Sequence, residues 1–304
     1  MQDFVAVKNT KHGKKHRQPN RLVIFLLATI GLLGLLFLVF KSIHFGDFFR
    51  DFDQQTILLV HKDVGKSAGF LLTADFSTLT LEVVPLDTEV EVDLGDYGHY
   101  RLQAVYPLLA AVEKKPLNFV RSTYSFSLGR IIDEAWGVEQ QLTSINTKPA
   151  LNQVFFNNIW SFPGSLNEKL AWLALVSDSH TEVVFTEIET NFPLAKKVKN
   201  TDSSMLLCTI AVINTTAVNG LAGKIDQVLD ADGFSVIRTG NDSQTLAKTE
   251  LIVGSDKNTQ TNCQRAQTKI ESLLPGKAVI TMDDNVTKQF RADLVLKIGA
   301  DLER

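Results

Sequence analysis

The pattern of apolar and polar residues sets one segment apart from the rest of the chain. Residues 22–40 read LVIFLLATIGLLGLLFLVF and contain no charged residue in 19 positions. An α-helix of this length reaches about 28 Å, close to the thickness of the hydrocarbon layer of a bilayer. A secretory signal peptide has a shorter apolar region, and KSIHFGDFFRDF, which follows here, offers no small-residue cleavage pattern. The pattern therefore predicts a transmembrane helix at 22–40.

Beyond this span the apolar residues fall into short runs. After a Phe-rich stalk at 41–54, strands are predicted at 56–63, twice within 69–94, and in EVVFTEIET. Helices are predicted at 101–114, in SLGRIIDEAWGV and in LNEKLAWLALVS. Strands interspersed with helices are typical of an α/β domain, which we place at 55–194.

A polar stretch at 195–206 separates this domain from a second pattern at 207–304. Strands are predicted in LLCTIAVIN, FSVIRTGN, ELIVGS, KAVITM and ADLVLKIG. Between them lie one helix that ends at Gly233 and another at about 258–274. The order β-α-β-β-α-β-β predicts a second α/β domain, a small two-layer sandwich with both helices on one face of its sheet.

The distribution of charge gives the chain a direction across the membrane. Residues 1–21 contain six Lys and Arg and one acidic residue. Basic residues resist translocation, so this tail is predicted to be cytoplasmic, with residues 41–304 outside a cell membrane that the chain crosses once. The outer part has a net charge of about −8, which does not favour nucleic acid as a partner. The basic tail is instead expected to contact the lipid bilayer.

The two cysteines, Cys208 and Cys263, both belong to the outer part. Two cysteines alone cannot supply a four-ligand zinc site. In an oxidising compartment they could form a disulfide, and otherwise they would be two buried free thiols. The sequence leaves both possibilities open.

Motifs of several enzyme classes are absent or incomplete. VGKS at 64–67 ends like a phosphate-binding loop, but Val60 stands where the first glycine of that motif is needed. Zincin, dithiol and catalytic-triad motifs are missing. His61, at a strand end, is either a base or, in the interpretation we favour, an exposed residue without chemistry.

Two aspartates follow predicted strands. Asp63 and Asp87 could meet at one edge of the α/β sheet, where carboxylates could hold a divalent cation. Capping of local turns explains aspartates at such positions equally simply, and on the residues alone we favour it.

One segment of the second domain resembles a known family. IAVINTTAVNGLAGKIDQVLDADGFSVIRTGN, at 210–241, is similar to the start of the LytR C-terminal domain through Val212, Asn214, 220–222 and 233–236. The resemblance implies a bacterial cell-envelope protein with this module outside the membrane. The turn at 214–220 then joins a strand to its helix.

This module often follows a LytR-CpsA-Psr catalytic domain, and the order of span, α/β domain, linker and module resembles that layout. ILLVHKD, GKSAGFLLT, VVPLDTEVEV and RLQAVYPLL resemble the first strand, the second strand, the Pro-Arg-Asp-Thr segment and the lysine-led helix of that family. In the family, arginines hold a polyprenyl pyrophosphate and carboxylates hold Mg²⁺ while an envelope glycopolymer is transferred to peptidoglycan. The first domain thus resembles a degenerate member.

By position, the resemblance gives four candidate site residues. Asp63 and Asp87 keep the carboxylates that would bind Mg²⁺, Lys66 stands where an arginine is expected, and Arg101 replaces the lysine. No cofactor other than Mg²⁺ is implied.

Other positions depart from the family. Leu86 and Ala68 replace an arginine and an aspartate, and Arg121 and Arg130 are the arginines that could substitute in space. The missing arginines favour a non-catalytic protein that binds or scaffolds during glycopolymer assembly. The alternative is a Mg²⁺-dependent glycopolymer transferase.

Overall fold

A computed structural model gives the fold of most of residues 54–302. It describes residues 29–31, 54–62, 69–87, 89–94, 97–139, 145–186 and 207–302. The chain divides into two compact units, Met1–Phe48 and Phe49–Arg304. The predicted tail, linker and stalk, except Gln54, lie outside the described residues, as does the predicted span except 29–31, which are helical. Within the described ranges no helix is both long enough and apolar enough to cross a membrane.

The first part of the larger unit contains seven strands and four helices among its described residues. In chain order they are β1 (Gln55–His61), β2 (Gly69–Asp75), β3 (Thr80–Leu86), β4 (Glu91–Asp93), β5 (His99–Arg101), α1 (Leu102–Val112), α2 (Pro116–Leu128), β6 (Glu134–Val138), α3 (Lys148–Asn158), α4 (Leu166–Ser177) and β7 (Glu182–Phe185). Five strands form a sheet in the order β6-β1-β2-β3-β7, and β4 and β5 form a separate hairpin. In the sheet, β1 is parallel to β6 and β3 is parallel to β7, whereas β2 is antiparallel to both of its neighbours, β1 and β3.

Helices cover both faces of this sheet, because its strands are apolar on both sides. Leu58 and Ala135 belong to the same buried cluster as residues of α1 and α2. Their neighbours point the other way, since side chains alternate along a strand. On that face the ring of Trp136 contacts Phe155 of α3 and Trp172 of α4, with centroids 5.5 and 5.6 Å apart. The first part is therefore a three-layer α/β/α arrangement.

One predicted helix of this part is wrong. The segment 127–138 was expected to be helical, but α2 ends at Leu128 and β6 occupies the second half. Gly129 ends the helix in a left-handed conformation with φ 64°, which glycine adopts without steric cost. Ala135 and Trp136 are both buried on opposite faces, and pairing with β1 satisfies their backbone groups. Burial in the sheet outweighed the helical pattern.

The predicted helix in LNEKLAWLALVS is confirmed as α4. Ser165 and Glu168 form a reciprocal capping box at its start, in which each side chain accepts the backbone N–H of the other residue. The predicted helix at 101–114 corresponds to α1, and the first three predicted strands correspond to β1, β2 and β3.

The second part, 207–302, is a small α/β sandwich. In chain order its elements are β8 (Thr209–Asn214), α5 (Leu221–Ala231), β9 (Ser235–Asn241), β10 (Glu250–Val253), α6 (Lys257–Leu273), β11 (Val279–Met282), α7 (Asp284–Phe290), β12 (Leu294–Ile298) and a 3-10 helix at Ala300–Leu302. The strands form a sheet in the order β11-β10-β12-β8-β9. Neighbours in it are parallel except β10 and β12.

The two predicted helices of the second part share one face of its sheet, as expected, but a third helix that was not predicted lies on the other face. Residues of α5 and α6 share a buried cluster with Ile210 and Val212 of β8. Val286 and Phe290 of α7 instead pack against Ala211 and other residues of the opposite face. These two side chains are four residues apart and so share one face of the short helix. The sheet is thus covered on its second face as well.

A disulfide joins Cys208, just before β8, to Cys263 in α6, with their Cα atoms 5.0 Å apart. Both residues are fully buried. The structure therefore contains the bonded alternative of the two that the sequence left open.

The two parts meet in a tight seam within the larger unit. Ile131, which follows α2, is buried in the same cluster as the apolar faces of α5 and α6. Across the seam, the Lys269 ammonium of α6 lies 2.6 Å from a carboxylate oxygen of Asp133. Arg121 of α2 donates a hydrogen bond of 2.9 Å to the backbone oxygen of Leu274. We call Arg121, Asp133 and Lys269 the latch, because they connect the first part to α6.

Candidate functional site

The predicted site would form at the edge of the first sheet where β3 ends, which we call the candidate edge. Asp63, Lys66 and the nearby Ala68 lie outside the described residues. The structure therefore places two of the four candidates, Asp87 directly after β3 and Arg101 directly before α1.

Asp87 begins a turn that its own side chain stabilises. The carboxylate Oδ1 accepts the backbone N–H of Glu89 at 2.9 Å, and the backbone oxygen of Asp87 accepts the N–H of Val90 at 3.5 Å. Aspartate commonly makes such local hydrogen bonds at the start of a turn. This contact is what the turn-capping interpretation of Asp87 predicts.

Arg101 forms an ion pair with the carboxylate of Glu89, and Gln103 donates to the other oxygen of that carboxylate at 2.8 Å. The Arg101 side chain is 57% exposed. Glu89 thus connects the two described candidates, since its backbone binds Asp87 and its carboxylate binds Arg101. An anion that used Arg101 would first have to compete with Glu89. The sequence reasoning missed this partner, because nothing in TEVEVDLG indicates which acid faces the arginine.

Leu86, at the position where the resemblance expects an arginine, is a core residue. It is 5% exposed and belongs to the cluster that includes α1 and α2. It pairs with Gly69 of β2, and its Cδ1 fills the space beside that glycine. This position therefore contributes to packing and offers no charge to a ligand.

Arg121 and Arg130 lie in the seam and not at the candidate edge. Arg121 donates to the backbone oxygens of Asp133 and Leu274. Asp133 in turn accepts the N–H of Thr56, near the start of β1. At about 3.3 Å per strand residue, Thr56 is roughly 17 Å from the other end of β1, where the candidate edge lies. Burial lowers the pKa of Arg121. The hydrogen bonds of the Arg121 guanidinium to the backbone hold this side chain in the latch. Arg130 faces the same seam, where its charge acts on a buried carboxyl of the second part.

His61 is buried, which contradicts the expectation of an exposed strand-end residue. It is 1% exposed and pairs with Val138 at the end of β6. The parallel strand β6 extends as far as β1 does, so the end of β1 is enclosed.

A metal site at this edge stays a prediction. Among the residues that the structure describes, no group of three or more His, Cys, Asp or Glu could hold a metal ion. The predicted pair of Asp63 and Asp87 includes a residue outside that part of the chain.

The seam contains a titratable group that sequence reasoning missed. Asp232, which ends α5, is 7% exposed, and burial raises its pKa to about 6. Asp133 raises the pKa further, whereas Lys269, Arg130 and a hydrogen bond from the backbone of Ile131 lower it. An aspartate beside a helix-ending glycine gives no sign in the sequence that another domain will cover it.

This carboxyl makes the stability of the unit depend on pH. Its pKa in the folded state exceeds the unfolded value of 3.8, so folding favours the protonated form. Asp232 therefore makes its full contribution to the free energy of unfolding below about pH 4, and this contribution is lost as the pH rises through about 6. We expect the contribution of Asp232 to be about 1 kcal/mol greater at pH 5 than at pH 7.5. Urea unfolding at both pH values would measure this difference.

An Asp232→Asn variant should lose that part of the pH dependence. Asp230→Asn, at an exposed position of the same helix, is the matched control and should retain it. Equal pH dependence in the wild type and in Asp232→Asn would contradict the assignment.

Comparison with known families identifies the second part. Residues 208–301 match the family described as "LytR cell envelope-related transcriptional attenuator", LytR_C. Residues 208–301 are therefore similar to this family, and we call them the LytR_C domain. The match confirms the resemblance seen in the motif at 210–241 and includes both cysteines. In the LytR_C domain, the side-chain oxygen of Asn214 accepts the backbone N–H of Thr216, and its amide donates to the backbone oxygen of Val218. The turn before α5 is therefore held by Asn214 itself, in agreement with its predicted architectural role.

Solved structures provide more distant likenesses. A transcriptional regulator (EF0465) from Enterococcus faecalis is 17% identical over 28% of this chain and 31% of its own, with a TM-score of 0.24. Lin1025 protein from Listeria innocua is 14% identical over 44% of this chain and 82% of its own, with a TM-score of 0.31. LytR-CPS2A-psr family protein YwtF (TagT) with bound octaprenyl pyrophosphate lipid is 13% identical over 73% of this chain and 89% of its own, with a TM-score of 0.24. This chain thus spans about a third of the first of these structures. The comparison with curated proteins finds no match.

Proposed function

We propose that the protein is a membrane-anchored component of the bacterial cell envelope that binds or scaffolds during glycopolymer assembly and does not catalyse transfer. The LytR_C domain at 208–301 supports a role in the envelope. The observation that carries the proposal is that the described part of the candidate edge offers few free cations, since Leu86 is buried and Arg101 is paired with Glu89.

Transfer from a pyrophosphate carrier needs cations where negative charge develops on the leaving group. At the described part of the edge, Leu86 is buried in the core and Arg101 is paired with Glu89. Arg121 is committed to the latch. Loss of one such cation typically costs about 10²–10³ in rate. An edge that has lost several is suited to binding or support and not to turnover.

The location outside the membrane is part of the proposal. The uncharged run at 22–40, the basic tail before it and the LytR_C domain after it fit a single-pass protein with a cytoplasmic N-terminus. Its partners would be the bilayer together with an envelope glycopolymer, its polyprenyl-pyrophosphate carrier or peptidoglycan.

The second candidate is the Mg²⁺-dependent transferase. It is favoured by the meeting of Asp87 and Arg101 around one loop, through their shared contact with Glu89. In this case Asp63, Asp87, Lys66 and Arg101 would act together on a lipid-linked substrate.

The full chain in liposomes would test both candidates. A polyprenyl-pyrophosphate-linked, radiolabelled glycopolymer and peptidoglycan would be supplied with Mg²⁺, and both retention on the liposomes and transfer to peptidoglycan would be measured. We expect retention above protein-free liposomes, with transfer at background in the wild type and in Asp87→Asn. Mg²⁺-dependent transfer that falls at least about 100-fold in Asp87→Asn would establish the transferase instead. If the liposomes showed neither retention above the protein-free control nor transfer to peptidoglycan, both candidates would be refuted.

A further inference from the structure

A cleft of about 720 Å³ opens in the seam, away from the candidate edge. One wall is the connection between α1 and α2. The other is formed by the end of α6 and the 3-10 helix Ala300–Leu302 of the LytR_C domain. Its volume falls within the range of small-molecule sites, which occur preferentially between domains. The latch fixes the two walls relative to each other, since Arg121 binds Leu274, a residue of the cleft.

Much of the cleft lining is apolar. Val112 and Phe119 belong to the first wall, and Leu274, Pro275 and Leu302 to the second. Val112, at the end of α1, is 53% exposed. Burying this apolar surface would favour a ligand with an apolar group.

Two lysines stand beside this apolar surface. Lys114 and Lys115 line the first wall and are exposed, and no ion pair involving either lysine is found in the described part of the chain. The two carboxylates of the cleft have other donors. Glu113 accepts the hydroxyl of Tyr97 at 2.9 Å, and Asp301 accepts both the N–H and the hydroxyl of Thr249 at 2.9 and 2.7 Å. The lysine ammonium groups are therefore available to an anion.

We propose that this cleft binds a short peptide that directs carboxylates to Lys114 and Lys115 and an apolar side chain to Val112 and Phe119. The apolar walls distinguish this ligand from a phosphodiester glycopolymer, whose hydroxyl-rich repeats would lose water there without apolar burial in return. The site is independent of the proposed function, because it shares no residue with the candidate edge.

Gly276 provides a way to block the cleft without changing its charge. A Cβ at this position would meet no atom within 4 Å, so the residue faces open space. Because Gly276 also lines the cleft, we expect a larger side chain here to narrow the cleft while the surrounding backbone stays as it is.

The test is isothermal titration calorimetry of the full chain in detergent micelles. The probe is the peptide acetyl-Leu-Glu-Leu-Glu, and acetyl-Leu-Gln-Leu-Gln-amide is its uncharged counterpart. We expect the acidic peptide to bind at least tenfold more tightly than the amide peptide. Replacing both lysines, Lys114→Gln with Lys115→Gln, should weaken binding of the acidic peptide at least tenfold. Gly276→Leu should weaken binding of both peptides.

The matched control replaces two exposed lysines of the LytR_C domain outside the cleft, Lys224→Gln with Lys257→Gln, and should leave binding unchanged. Circular dichroism of each variant establishes that it is folded. Equal affinity for the two peptides, full binding by the cleft variants, or no binding at millimolar peptide would overturn the proposal. Tighter binding of a glycerol-phosphate oligomer than of the acidic peptide would also overturn it and would assign the cleft to a polymer.

Discussion

Replacing Lys269 by Met is expected to lower the free energy of unfolding by about 3 kcal/mol. The side chains of Lys269 and Asp133 are 11% and 16% exposed, so the remaining carboxylate would lose its counter-charge in a site that water barely reaches. Removing one partner of a buried ion pair typically costs about 3–5 kcal/mol. Lys269 also donates to the backbone oxygen of Gln54, at 3.4 Å, where the chain enters the first sheet. Urea unfolding of the full chain in detergent, followed by the fluorescence of the buried Trp136 and Trp172, would measure the loss.

A double variant separates the ion pair from simple loss of packing. Asp133→Asn together with Lys269→Met removes both charges, and we expect it to cost less than Lys269→Met alone, because the Asp133 carboxylate is then not left without Lys269. Lys257→Met, at the exposed start of the same helix, should change stability by less than about 0.5 kcal/mol. A double variant as unstable as the sum of its single variants would show that the two charges do not interact.

Removing the disulfide is expected to cost about 4 kcal/mol. Cys208 and Cys263 are separated by 55 residues along the chain, and opening a loop of that size restores conformational entropy to the unfolded state. The bond joins the beginning of the LytR_C domain to α6, so both the sheet and the seam depend on it. The Cys208→Ala, Cys263→Ala variant should unfold at correspondingly lower urea concentration.

Reduction gives an independent control of the same quantity. Because both cysteines are fully buried, the wild type should be unfolded in urea with dithiothreitol and then refolded in the reductant. Its stability should then fall to near that of the double variant, which itself should not respond to dithiothreitol. A wild type that is equally stable before and after reduction would refute a stabilising disulfide.

The two regions differed in how well local pattern predicted them. In the LytR_C domain the apolar runs, Asn214 and Gly233 each specify a local geometry, and the strands and two long helices formed as predicted. In the first part, 127–138 has a helical distribution of apolar residues but becomes a strand beyond Gly129. A short apolar run that is buried on all sides is compatible with a helix or a strand, and here pairing with the neighbouring strand β1 made it a strand. The helix α7 was missed because its seven residues are too few to show a period.

For the candidate site too, some features could be predicted from the sequence and others could not. The strand-end position of Asp87 and the start of α1 at Arg101 could be read from the sequence, and so could the apolar nature of Leu86. The ion pair with Glu89 could not, because Glu82, Glu89 and Glu91 are equivalent acids until the loop is folded. Likewise Arg121 was a free candidate for the edge until the LytR_C domain was placed against α2.

By itself, the sequence determined the mixed α/β class, the LytR_C motif and the apolar character of Leu86, because each depends on residues close together in the chain. Only the tertiary structure decided that Arg121, Asp133 and Lys269 form a latch and that Asp232 is buried beside it. Those contacts join residues up to 153 positions apart. Local propensity carries no information about such pairs, since burial and charge pairing across a seam are set by the packing of one domain on the other.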